Sequence, residues 1–170
     1  MTTYKLNDCL NESYNHLGNV SVLVFASHKR YGGGYRNHVK GQEEYLFNNT
    51  NLPNLYNDYI ATFYPFKQTD TKGFVVTDNG INFIFMPCLV WDSCGLLLDE
   101  HISVIEERIK EIYSLNKSNT LILGGWGCGV FKCPPEIISR LFLKHQPNDL
   151  NVIYCFLDEH IKSIFEKCQL

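Results

Sequence analysis

A run of apolar, β-branched residues that ends in a glycine-rich loop and then enters a helix occurs twice in this chain, and that recurrence most restricts its fold. The first copy is VSVLVFAS at residues 20–27, followed by HKRYGGGYRNHVKG and then QEEYLFNN. The second is TLIL at residues 120–123, followed by GGWGCGVFKC and a helix opened by Pro134-Pro135. Short continuous apolar runs bounded by turn residues read as strands buried on both faces. Proline suits the first helical position, where its missing N–H leaves no hydrogen bond unmade. Strand, loop and helix repeated in this order build a layered α/β sheet.

The rest of the chain fits that scheme. GFVVTD at 73–78 and NFIFMPCL at 82–89 are joined by Asn79-Gly80, a dipeptide that favours a tight hairpin, so these two strands are expected to pair antiparallel. Over residues 99–115, Ile102, Ile105, Ile109 and Ile112 recur at spacings of three and four, which predicts a helix with one buried face and its charges toward solvent. NVIYCFL at 151–157 and DEHIKSIFEKC after it read as a last strand and a last helix. The N-terminal MTTYKLNDCLNESYNHLGN reads as a polar lead with helical character. At 170 residues the chain fits one domain, expected over residues 1–170.

Charge and composition exclude several classes of function. The net charge is −3, so no strongly basic field draws in nucleic acid, and any polynucleotide-like ligand must be gripped locally. No sequence-specific nucleic acid partner is expected. The N-terminus is too polar for a secretory signal and no apolar run approaches a membrane span, so the expectation is a soluble monomer in the cytoplasm or nucleus with no membrane partner. Seven cysteines, at 9, 88, 94, 128, 133, 155 and 168, are odd in number and lack zinc-knuckle spacing, which favours free buried thiols. The histidines form no metal-binding pattern with them, and neither a metal nor another cofactor is expected.

Ligands of open α/β sheets sit outside the carboxyl ends of the strands, where both glycine-rich loops fall. Glycine lets the backbone approach a ligand and turn its N–H groups inward, so two such loops suit a diphosphate. Neither loop has the spacing of a dinucleotide fingerprint or of a triphosphate-binding loop, which disfavours a dehydrogenase or kinase. Taken alone, Gly32–Gly34 serve equally well as a tight turn, and Glu43 and Glu44 as solvated residues of a helix first turn. Adjacent helical residues project about 100° apart, so the two carboxylates cannot do the same job on one ligand atom.

The segment GGGYRNHVKGQEE, with three glycines, seven intervening residues and then Gln-Glu-Glu, resembles the signature of poly(ADP-ribose) glycohydrolases. LILGGWGCGVF at 121–131 resembles the diphosphate-loop segment of the bacterial-type members, and the likeness runs over roughly residues 20–160. It implies a macrodomain-like three-layer α/β/α sandwich with a mixed central sheet, and hydrolysis of ribose–ribose O-glycosidic bonds to release ADP-ribose. By resemblance Glu44 is the general acid/base and Glu43 holds ribose hydroxyls. Ala26, Ser27, Gly32, Gly33, Gly34 and Gln42 are carried over as ADP-ribose contacts on the first loop. On the second loop the contacts are Gly127, Cys128, Gly129 and Val130, with Phe131 pressing on the distal ribose.

Cys128 is expected to act through its backbone N–H, and Trp126 to pack in the core. Tyr35, Tyr64 or Phe66 could supply an adenine platform, while Arg36 and Lys40 either face solvent or contact phosphates of an adjoining unit. Where the family often has Asn and Pro, this chain has Val24 and Tyr31. The partners implied are ADP-ribose and poly(ADP-ribose). The alternatives are a mono-ADP-ribosyl hydrolase acting on protein or nucleic acid, and a non-catalytic ADP-ribose reader.

Overall fold

The computed structural model describes residues 1–92 and 98–169. Cys94 lies outside them. Six strands form one sheet: β1 (Thr2–Leu6), β2 (Val20–Phe25), β3 (Phe74–Asp78), β4 (Ile81–Met86), β5 (Thr120–Gly124) and β6 (Asn151–Phe156). Their spatial order is β1-β6-β5-β2-β4-β3, with every neighbouring pair parallel except the β3–β4 hairpin. The hairpin turns on Asn79 and Gly80, both at positive φ (48° and 79°), as the dipeptide predicts.

Alternate residues of the central strands feed two separate cores, so the sheet is covered on both faces. Val20, Val22 and Val24 of β2 with Phe83 and Phe85 of β4 pack against Leu10 of α1 (Cys9–Ser13), Leu46 and Phe47 of α2 (Gln42–Asn49) and Ile60 of α3 (Asp58–Ala61). Leu23, Ile84, Leu121 and Tyr154 face the other way, toward α4 (Leu98–Leu115), α5 (Pro135–His145) and α6 (Glu159–Cys168). The arrangement is the predicted α/β/α sandwich with a mixed sheet. It brings the carboxyl ends of β2 and β5, and hence both glycine loops, to the same edge of the parallel strands.

Two expectations need correction. The polar lead is helical only over its second half, Cys9–His16; before that, residues 2–6 form edge strand β1, paired parallel to β6 from Thr2 opposite Val152 to Leu6 opposite Phe156. Tyr4 stacks on Tyr154 with ring centroids 5.1 Å apart, which anchors this otherwise polar strand. α1 and a single 3-10 turn at Tyr14–His16 follow it. Nor do all the charges of α4 face solvent, because Arg108 is 1% exposed.

Arg108 lies one turn from Ile105 and Ile112, on the buried stripe. Its guanidinium donates to four carbonyls: Asp70 O at 2.8 Å, Pro87 O at 2.9 Å, Lys67 O at 3.0 Å and Gln68 O at 3.1 Å. It thereby pins the 67–70 loop to the end of β4. Substituting Arg108→Leu strands these carbonyls, and urea unfolding is expected to show a loss of about 3 kcal/mol or more. A loss under about 0.5 kcal/mol would mean that water reaches these groups.

Candidate active site

The site begins where β2 breaks off. Gln42, the first residue of α2, accepts from Phe25 N–H at 2.9 Å and donates to Leu23 O at 2.8 Å, with Cys9 Sγ at 3.3 Å from the same nitrogen. The side-chain amide thus completes the hydrogen bonds that the sheet no longer supplies and fastens the helix N-terminus to the strand end. Gln42, carried over as an ADP-ribose contact, has its amide committed to β2.

Glu43 is 2% exposed and uses both oxygens on the first loop: Oε2 accepts from Ser27 N–H at 2.7 Å and Oε1 from Gly32 N–H at 3.0 Å. Glu44, one residue on and rotated to the open side of the helix, is half-buried and accepts from Gly34 N–H at 3.0 Å. Gly33 passes between the two carboxyl groups at φ +55°, and a Cβ there would meet Glu44 Oε1 at 2.5 Å and Glu43 Oε2 at 2.9 Å. Only glycine fits. At Gly41, whose backbone is extended, a Cβ would meet only the movable end of the Glu44 side chain.

The N–H groups of Ala26, Ser27 and the three glycines are therefore spent inside the protein. Ala26 donates to Val24 O at 2.8 Å and Gly33 to Arg30 O at 3.1 Å, while Ser27, Gly32 and Gly34 hold the two carboxyl groups. The triple glycine positions acids, and the second loop is the one that keeps backbone donors unused. There, Cys128 N–H donates to Gly125 O at 2.9 Å, whereas the N–H groups of Gly129, Val130 and Phe131 have no acceptor among the described residues. A Cβ on Gly129 would meet nothing within 4 Å, and Val130 is 88% exposed, so this stretch of backbone is open to a ligand.

The two loops meet. His28, just past the end of β2, lies against Phe131 with ring centroids 6.0 Å apart. Phe131 remains half-buried, and its carbonyl accepts from Trp91 N–H at 2.8 Å. Trp126 is fully buried, as predicted, and donates from Nε1 to Met86 O at 2.8 Å. Burial pushes the Cys128 thiol well above its ordinary range, with Cys133 and Glu136 adding, which leaves little thiolate at neutral pH to act as a nucleophile.

Beneath the first loop lies an aromatic cluster that single-sequence reasoning did not find. Tyr31 packs its ring 4.7 Å from Phe47 and 5.1 Å from Phe85, centroid to centroid, and donates to Leu52 O at 2.9 Å. Of the three adenine candidates, Tyr64 joins this cluster and Phe66 is 6% exposed, so both serve as packing; Tyr35 stays half-buried on Phe47. The adjacency of Tyr31 to the glycines is the available signal, but its partners come from five other stretches of the chain, at Phe47, Leu52 and Tyr56, Tyr64, Phe74 and Phe85. Val24, at the other departure from the family pattern, is wholly buried in the core.

With this geometry in place, comparison with known proteins decides the family. Residues 2–87 match the sequence family described as microbial-type PARG, catalytic domain. The chain belongs to that family, whose members are glycosidases that hydrolyse poly(ADP-ribose). Similar solved structures include the poly(ADP-ribose) glycohydrolase (PARG) of Thermomonospora curvata, at 19% identity and TM-score 0.79 over 98% of this chain and 76% of that one. PARG of Deinococcus radiodurans in complex with ADP-ribose aligns at 21% identity and TM-score 0.77, over 98% of this chain and 83% of that one. At these identities the likeness shows the shared fold. No curated protein matches the chain in sequence.

Burial pushes the Glu43 carboxyl up to about 8, with the neighbouring Glu44 adding, against the lowering effect of the Ser27 and Gly32 N–H groups. Since its unfolded pKa is about 4.5, the folded protein holds an extra proton between that value and 8, and stability falls as pH rises through this window. Wild type is expected to lose up to about 4 kcal/mol relative to Glu43→Gln from pH 5 to pH 9, read from urea midpoints. Parallel profiles for the two proteins would show instead that Glu43 is buried as the anion.

Proposed function

We propose that this PARG-family chain hydrolyses the ribose–ribose bond of poly(ADP-ribose) with Glu44 as its general acid and base. One observation carries the assignment: of the adjacent carboxyl groups, Glu43 is sealed into the fold, while Glu44 is held by a single backbone N–H and keeps Oε2 free of hydrogen bonds among the described residues. A group that must give up a proton and take one back needs an accessible oxygen in a fixed place, and Glu44 has both.

The pyrophosphate of the unit being released lies along the N–H groups of Gly129, Val130 and Phe131 on the second loop. Its ribose rests on Phe131 and on Gly32–Gly34, where the absence of side chains lets a sugar come close to the two carboxyl groups. Ala26 and Ser27 border the same ribose at the end of β2. Glu43 acts chiefly as a positioning residue, because its oxygens already bind Ser27 and Gly32. Gln42 and Cys128 support the site from beneath.

The reaction follows from this placement. The Glu44 carboxyl gives its proton to the departing ribose oxygen as the bond from that oxygen to the anomeric carbon breaks and positive charge spreads over the ring. The resulting carboxylate then accepts a proton from water as the water oxygen bonds to the anomeric carbon. Glu44 ends protonated as it began, and ADP-ribose is released.

Replacing Glu44 by Gln keeps the size of the side chain and removes the transferable proton. Polymer turnover is expected to fall by about 10² to 10⁴ with ADP-ribose affinity within a few-fold of wild type. Turnover unchanged by the substitution would refute the assignment. A wild type that binds ADP-ribose but turns over nothing would make the chain a reader.

A further inference from the structure

Between Glu12 and Glu43 the chain carries no Asp or Glu, while Lys29, Arg30, Arg36 and Lys40 all fall in that interval. All four are exposed. Among the described residues none of them pairs with a carboxylate, although Lys5, Lys72, Lys110, Lys132, Lys144 and Lys162 each do. In a protein whose net charge is −3, an unneutralised basic segment around the reacting acids is a local field of the opposite sign.

The segment is also folded tightly onto the site. Gly34 O accepts from Asn37 N–H at 2.8 Å and from Val39 N–H at 3.4 Å, and His38 adopts a left-handed conformation at φ 57°. Arg36 and Lys40 are thus tied to the residue whose own N–H holds Glu44. Arg36 is further preorganised. Its Nε donates to Tyr35 Oη at 2.9 Å and its guanidinium carbon lies 5.5 Å from the centre of the Tyr35 ring. That ring packs on Phe47 and reaches Gly32, where a Cβ would meet it at 2.8 Å. The terminal nitrogens of Arg36 have no hydrogen-bond partner among the described residues, which leaves the fork free for a bidentate phosphate contact.

The contacts made along the loop supply the direction. The chain starts at His28, against Phe131 of the open second loop, passes both carboxyl groups at Gly32–Gly34, and only then reaches Arg36 and Lys40. With the second loop taken to hold the pyrophosphate of the unit being released, the turn that carries Arg36 and Lys40, bound to Gly34 beside Glu44, is assigned to the side of the departing ribose. In poly(ADP-ribose) that ribose carries a pyrophosphate of its own; in a serine, glutamate or aryl conjugate the leaving group carries none.

We propose that Arg36, steadied by Tyr35, and Lys40 form a second pyrophosphate-recognition face for the leaving unit, and so bias this chain toward polymer over mono-ADP-ribosyl conjugates. The inference rests on the glycohydrolase reading above and adds the side of the bond from which selectivity comes.

The test compares two substrates: poly(ADP-ribose) of defined length, and ADP-ribose joined through its anomeric carbon to a phosphate-free aryl leaving group. For Arg36→Gln/Lys40→Gln, kcat/KM on polymer is expected to fall about 10- to 100-fold, and its dependence on salt to flatten by roughly 0.7 in log–log slope for each phosphate no longer neutralised. Activity on the aryl conjugate should stay within about two-fold. Lys40→Gln alone should give a smaller split of the same kind, and it leaves the Tyr35–Arg36 contact intact.

Equal losses on both substrates, or no loss on polymer, would overturn the second face while leaving hydrolysis by Glu44 standing. A wild type inert on both substrates, yet binding ADP-ribose, would remove the glycohydrolase reading and this inference together.

Discussion

The buried carboxyl of Glu43 is the interaction on which the rest of the site depends. It joins three segments that would otherwise end separately: the last residues of β2 through Ser27, the glycine loop through Gly32, and the first turn of α2 through its own backbone. Burying an acid is costly, and burial pushes its pKa up from the ordinary carboxylate range. The return is geometric. With the backbone drawn this close, Gly33 can carry no side chain, and the next residue of the helix is turned about 100° toward the open edge, where its carboxyl can work on a substrate.

The frame around this knot is correspondingly rigid. Gln42 completes the hydrogen bonds of the β2 terminus, and the Tyr31, Phe47 and Phe85 rings fill the space under the glycines. On the second loop, the buried Trp126 ties its root to β4, leaving the tip at Gly129–Phe131 with N–H groups that have no acceptor among the described residues. One loop uses its backbone to aim acids and the other to offer donors. That division of labour suits a reaction in which a diphosphate must be fixed while a proton moves a few ångströms away.

Much of this was legible in the sequence because the relevant signals are local. The apolar runs at 20–25, 81–86 and 120–124 have no competing helical period, the Asn79-Gly80 turn names its own hairpin, and the Gln-Glu-Glu after three glycines carries the family resemblance. β1 was hidden because TTYKL is an edge strand, half-wet and patterned by a partner about 150 residues away. Arg108 departs from the expectation for the opposite reason: its charge suggests solvent, yet the spacing from Ile105 and Ile112 places it on the buried stripe. The glycine N–H groups read as anion donors, since nothing in the sequence shows that Glu43, Arg30 O and Glu44 take those of Gly32, Gly33 and Gly34 first. A sequence displays donors but not the acceptors that folding assigns to them.

Above all, hydrolysis by this route requires Glu44 to sit at the anomeric carbon of an ADP-ribose whose pyrophosphate is held by the second loop. A crystal structure of the chain with ADP-ribose bound tests that placement directly. The expected result is a Glu44 carboxyl oxygen within hydrogen-bond distance of the anomeric hydroxyl, with phosphate oxygens accepting from the N–H groups of Gly129, Val130 and Phe131. A nucleotide sugar bound with its anomeric carbon away from Glu44, or with its phosphates on the triple glycine in place of the second loop, would contradict it.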